Sequence, residues 1–149
     1  MLVPLPTVED FTVTEKPEED LDGFSAWKAL GGLSIDEAYQ RFCECPEARQ
    51  EDFMWMGDRA FVFYFPVIER YVHDEESRLE FDGVTFVLAH CIGSHLPSDE
   101  PCVRAQHGRF LGLCAFVLDR LRTLPEREDR SHSICELTSA WSALQAQVA

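Results

Sequence analysis

Six cysteines and five histidines are the residues of this chain with the most chemical range, and they fall into a few short groups. Cys43-Glu44-Cys45, His90-Cys91, His95, Cys102, His107 and Cys114 offer soft donors, and Cys91 with His95 would share one helix face at i, i+4. Two cysteines separated by a single residue do not make the knuckle of a structural zinc site, whose cysteines stand two to four residues apart, and Cys is among the most buried residue types. Buried thiols and ordinary histidines are the expected reading, with no metal and no cofactor. A nucleophile would need a Ser or Cys on a sharp turn with a His and an orienting carboxylate. Gly93-Ser94-His95 lacks the G-x-S-x-G elbow that supplies such a turn. The carboxylate pairs Glu51/Asp52 and Glu75/Glu76 could do acid–base work only if burial split their pKa values. Gly31-Gly32 lacks the Gly or Lys-Ser/Thr that completes a phosphate-cradling loop. No enzyme signature emerges. A metal-dependent regulator or small enzyme built on His90, Cys91, His95 and the Cys43/Cys45 pair stands as the alternative to a binding protein.

Charge narrows the partner class. The chain has 27 acidic and 13 basic residues in 149, a formal charge of -14, so a bare phosphate backbone or an anionic membrane surface would be repelled. The balance is -12 over residues 1–80 and -2 over 81–149. A field concentrated in one half speeds encounter with a basic protein, although acidity also serves plain solubility. The expected partner is therefore a protein, with no nucleic acid and no membrane. Pro4 and Pro6 interrupt an N-terminal stretch that carries no Lys or Arg before Lys16, so the pattern of a secretory signal is missing. A cytoplasmic location with reduced cysteines is the expectation.

The elements that must position these groups are helical by pattern. Ser34-Ile35-Asp36-Glu37 and Ser133-Ile134-Cys135-Glu136 are capping boxes, in which the Ser hydroxyl accepts from an early backbone N–H and the Glu reaches back. Ile35, Ala38, Tyr39 and Phe42 follow the first at helical spacing, and Ile134, Leu137, Trp141 and Leu144 follow the second. Val103, Phe110, Leu111, Cys114, Val117, Leu118 and Leu121 form a further stripe ended by Pro125, and Leu79 to Ile92 reads as a helix interrupted at Gly83. Between them, Glu51 to Tyr71 carries Phe53, Trp55, Phe61, Phe63, Tyr64, Phe65 and Tyr71, more aromatic area than one helix face can bury. Pro66 lacks an amide donor and clashes with the preceding turn, which predicts two helical pieces meeting near Phe65. The first 32 residues, acidic from Glu15 to Asp22 and broken by prolines, are expected to lie extended or partly mobile, with Phe11, Phe24 and Trp27 available to tack them down, and residues 33–149 to form the helical domain. The architecture implied is all-α, a single-domain bundle of five or six helices.

The order Ser34-Ile-Asp-Glu-Ala-Tyr39, then Gln50-Glu-Asp-Phe-Met-Trp-Met-Gly57, then Ala60-Phe61 and Phe65-Pro66 leading to Arg70-Tyr71, resembles small bacterial proteins of the kind found beside secreted toxins. The likeness covers residues 33–73 and includes no catalytic signature. It implies a helical immunity protein that binds and neutralises a cognate toxin, acidic because many toxins acting on nucleic acid are basic. The six cysteines and the acidic N-terminus depart from that pattern. From charge and aromatic content, the partner-binding candidates are Glu18, Glu19, Asp20 and Asp22, then Asp74, Glu75 and Glu76, with Trp55 as the aromatic anchor.

Overall fold

Both capping boxes form as their sequences require. Ser34 Oγ accepts from the Glu37 amide at 3.2 Å and the Glu37 carboxylate accepts from the Ser34 amide at 3.0 Å; Ser133 and Glu136 repeat the exchange at 3.0 and 3.4 Å. The computed structural model describes residues 3–13, 16–74 and 83–149. Among these residues the ordered elements are helices, without strands: α1 Val8–Phe11, α2 Leu21–Leu30, α3 Ile35–Glu44, α4 Pro46–Arg49, α5 Asp52–Trp55, α6 Asp58–His73, α7 Gly83–His95, α8 Pro101–Arg104, α9 His107–Leu121 and α10 Ile134–Val148, with a 3-10 turn at Pro17–Glu19. Six of these run ten residues or more, in line with the expected all-α bundle, and one-turn helices link them.

The aromatic segment is the hub. Phe61, Tyr64, Phe65, Val67, Ile68 and Val72 of α6 are fully buried, and α1, α3, α7 and α8 all pack against that helix. Phe110 of α9 joins it edge-on to Phe65 at 4.9 Å, and α10 lies between α9 and α7. The break expected at Pro66 does not occur: α6 is one helix through it. A mid-helix proline costs roughly 3 kcal/mol, whereas each fully buried large apolar side chain contributes about 1.5–3 kcal/mol, and three such residues follow Pro66 on the buried face. Tertiary burial outweighs the local penalty.

The N-terminal segment also departs from expectation. Much of the stretch expected to be extended is helical, because Phe11 is fully buried with its ring edge-on to Trp27 at 5.4 Å, and α2 buries Ala26, Ala29 and Leu30. Asp20 caps α2, accepting from Gly23 N–H at 3.0 Å, and its second oxygen accepts from Val13 N–H at 3.0 Å. At the other end of α2, the Tyr64 hydroxyl lies 2.8 Å from the Leu33 carbonyl and 3.0 Å from that of Leu30, while Arg41 donates to Ala29 O at 3.0 Å. The Arg41 bond satisfies a carbonyl that the C-terminus of α2 leaves orphaned, the single Tyr64 hydroxyl proton serves one of its two carbonyls, and Gly32, at φ 77°, turns the chain towards α3.

Candidate functional site

Helix α5 is only four residues long, too short to hold itself, so its position is set by contacts from other elements. Phe53 is fully buried, edge-on to Phe42 at 5.4 Å. Two residues past α5, Gly57 N–H donates to the Phe11 carbonyl at 2.9 Å. Gly57 and Gly23 both abut this stretch of backbone: a Cβ at 57 would run into the carbonyl oxygen of Asp10, and one at 23 would meet that of Phe11 at 2.7 Å. The start of α2, the end of α1 and the α5–α6 junction thus converge at the N-terminal end of α6.

That convergence sorts the candidate binding residues. Trp55 is 44% exposed on α5, which packs against α2. Glu18 and Glu19 lie exposed on the 3-10 turn that packs on α2, and Asp22 is exposed in the first turn of α2 itself. Leu21, at 75% exposure, adds apolar surface at the start of α2, and Val13, at 81%, adds it on the bend after α1. Asp20 differs, since both its oxygens are committed to backbone amides and it serves the fold. Asp74 follows the last residue of α6, where it accepts from the Tyr39 hydroxyl at 3.3 Å. The 16 residues of α6 put it roughly 24 Å along the axis from the Trp55 end. Glu75 and Glu76 lie outside the described residues. One acidic cluster lies on α2 and the turn before it, and α2 packs against the helix that carries the tryptophan; the other cluster begins at the far end of α6.

The Cys/His set resolves differently. His95 is 5% exposed, with Nδ1 2.6 Å from Asp58 Oδ1, Nε2 2.7 Å from the Phe53 carbonyl oxygen, and its ring stacked on Phe61 at 4.0 Å. Both ring nitrogens are therefore committed, and neither is left to ligate a metal or to take a proton from Cys91. The Cys91 thiol donates to the Gln50 carbonyl at 3.2 Å, and burial, aided by Glu51, pushes its pKa up to about 12, away from the thiolate a nucleophile needs. His90, Cys43 and Cys45 are exposed. Among the described residues, no three His, Cys, Asp or Glu side chains converge as a metal site requires, and no cysteine is in a disulfide.

Two features carry no sequence mark. Asp58 and the Phe53 carbonyl are separated from His95 by 37 and 42 residues, so no local motif announces them. Asp52 opens α5 with Oδ2 buried and without a hydrogen-bond partner, as is the neighbouring Gln50 Oε1, while Glu51 is exposed. Burial raises the Asp52 carboxyl to about 6, with Glu51 adding to the rise and Arg49 opposing it. The pair Glu51/Asp52 thus meets the requirement of split environments, but the only thiol beside it is the inert Cys91.

Comparison with protein-family models, with curated proteins and with solved structures returned no match. Among the described residues, no helix is long and apolar enough to cross a membrane.

Proposed function

We propose that this chain is a non-enzymatic binding protein of the immunity type, which neutralises a basic bacterial toxin by covering its surface with the face that carries Glu18, Glu19, Asp22 and Trp55. The observation that carries this reading is the exposed Trp55 on a helix packed against α2, whose first turn and lead-in carry the acidic cluster. A large ring left in water contributes nothing to the fold on its exposed side, yet a tryptophan seated in a partner's pocket is among the commonest anchors of an interface. Carboxylates around such an anchor speed encounter with a basic surface and repel acidic ones. The charge of -14 extends that attraction beyond the contact itself. Val13 and Leu21, also exposed, supply further apolar area before and at the start of α2.

The test is growth rescue combined with binding kinetics, using the product of a toxin-like reading frame adjacent to this gene. Wild-type protein should restore growth, and Trp55→Ala should lose the protection while remaining folded. Protection that survives both Trp55→Ala and the combined Glu18→Gln, Glu19→Gln, Asp22→Asn variant would remove this face from the reading.

A further inference from the structure

The environment of His95 counts protons. A backbone carbonyl can only accept, so the 2.7 Å contact to Phe53 O requires a proton on Nε2. The 2.6 Å contact to Asp58 Oδ1 requires a second proton between Nδ1 and the carboxyl, whichever atom holds it. The ring is 5% exposed and clasped against Phe61, so solvent does not stand in for either partner. When one proton leaves, a nitrogen lone pair faces an oxygen lone pair, at Asp58 or at Phe53. Phe53 lies in the middle of the four-residue helix that presents Trp55.

We propose that the His95–Asp58 pair is a proton-dependent clamp on the Trp55-bearing turn, closed while the pair holds two protons and loosened when it holds one. The clamp's effect on partner binding rests on the function proposed above; the clamp itself does not. The elements packed on α6 carry further ionisable groups, Glu9 and Asp10 on α1 and Arg104 on α8. Arg59 follows Asp58 on α6, and Cys102 senses the charge of Asp58, Arg59 and Glu100. Helix α5 and its lead contribute Glu51 and Asp52, α4 contributes Glu47 and Arg49, and α2 contributes Asp22 and Lys28 with Asp20 at its cap. On α7 itself Cys91 is held protonated by burial and His90 is exposed. From α10, Gln147 donates to the Gly93 carbonyl at 3.3 Å, and that helix's ionisable residues, Cys135 and Glu136, lie at its opposite end. Asp52, raised by burial on the same turn, acts in the same sense, since it too favours the structure when protonated.

Asp58→Asn separates the clamp from general pH effects. The asparagine amide would donate to Nδ1 of a neutral imidazole while Nε2–H still donates to Phe53 O, so both contacts persist without the second proton. Hydrogen exchange resolved over residues 50–58, corrected for intrinsic rates and run as a pH series across the range in which the protein stays folded, reads the opening directly. Wild-type opening should rise roughly tenfold or more across that range, the scale of losing one charge-assisted hydrogen bond, and Asp58→Asn should flatten the rise. Protection in wild type that does not change with pH, or an Asp58→Asn protein with the same slope, overturns the clamp. Exchange requires no partner, so a failed growth rescue with an intact pH slope would count against the binding function alone.

Discussion

Asp52→Asn should stabilise this protein near neutral pH, and by an amount that depends on pH. The carboxyl is raised from 3.8 to about 6, chiefly by burial. A group whose folded pKa lies above its unfolded value lends stability below the unfolded value and loses it as pH rises through the folded one, here from about 3.8 to about 6. At about 1.4 kcal/mol per unit the ceiling is about 3 kcal/mol, and partial exposure of the side chain roughly halves it. Asparagine keeps the shape without the charge, and its amide adds a donor beside Gln50 Oε1, which is buried without one. Against this, an ionised carboxylate in the first turn of a helix is worth roughly 0.3–1 kcal/mol, which the variant forfeits. The net gain near pH 8 should be about 1 kcal/mol, falling to about half of that near pH 5, midway through the window, and vanishing only below about 3.8. Paired urea melts at the two pH values measure the difference; in thermal melts a chain of this size shifts about 2–4 °C per kcal/mol. A gain equal at both pH values, or a loss near pH 8, would refute the account of a buried, unsatisfied carboxylate.

Gly57→Ala should cost about 2–4 kcal/mol in denaturant melts, because its Cβ drives into the Asp10 carbonyl and displaces α1 from the α5–α6 junction. Gly112→Ala, in the middle of α9 with open space around the new methyl, should instead gain about 0.5–1 kcal/mol, and a similar effect at both sites would show that close approach is not what fixes Gly57. Leu137→Ala, fully buried on α10, should cost about 2–5 kcal/mol, and a change below about 0.5 kcal/mol would place its side chain outside the core. With a partner in hand, neutralising Glu18, Glu19 and Asp22 together should slow association at low salt with little change in dissociation, whereas Trp55→Ala should speed dissociation; an unchanged association rate would reduce the acidity to a solubility feature.

Local chemistry made some of this fold readable in advance. A capping box is complete within four residues, so Ser34 and Ser133 declared their helices without help from the rest of the chain, and the periodic stripe through Leu137, Trp141 and Leu144 named a buried face. What escaped was decided over long range. The stripe of α2 is built from Ala26, Ala29 and Leu30, too modest an apolar signal to stand out behind an acidic run, and Asp20 reads there as one more charge when it is in fact the cap. Pro66 argued for a break on local grounds, and the surrounding burial overrode it. His95 was visible as a candidate ligand by its spacing from Cys91, yet its role is fixed by a carboxylate and a carbonyl distant in sequence. Trp55 could be read only as hub or hot spot. Its exposure, unlike that of Phe53 two residues earlier, is a tertiary fact.

The placement of Trp55 on α5 has a physical consequence for recognition. A four-residue helix gains almost nothing from its own hydrogen bonds, so the orientation of the ring is inherited from Phe53 in the core, from the Gly57 amide on Phe11, and from the Phe53 carbonyl on His95. Each anchor comes from a different part of the chain: α1 with α2, α6 with α7, and the ring of Phe42 on α3. Preorganising an anchor in this way lowers the ordering cost of binding without adding a contact. It also makes affinity sensitive to substitutions that never touch a partner. In the proposed binding role, a change at Gly57 or Asp58 would act on binding through the position of α5, whereas Glu18 and Glu19, exposed and outside these anchors, would act through charge alone.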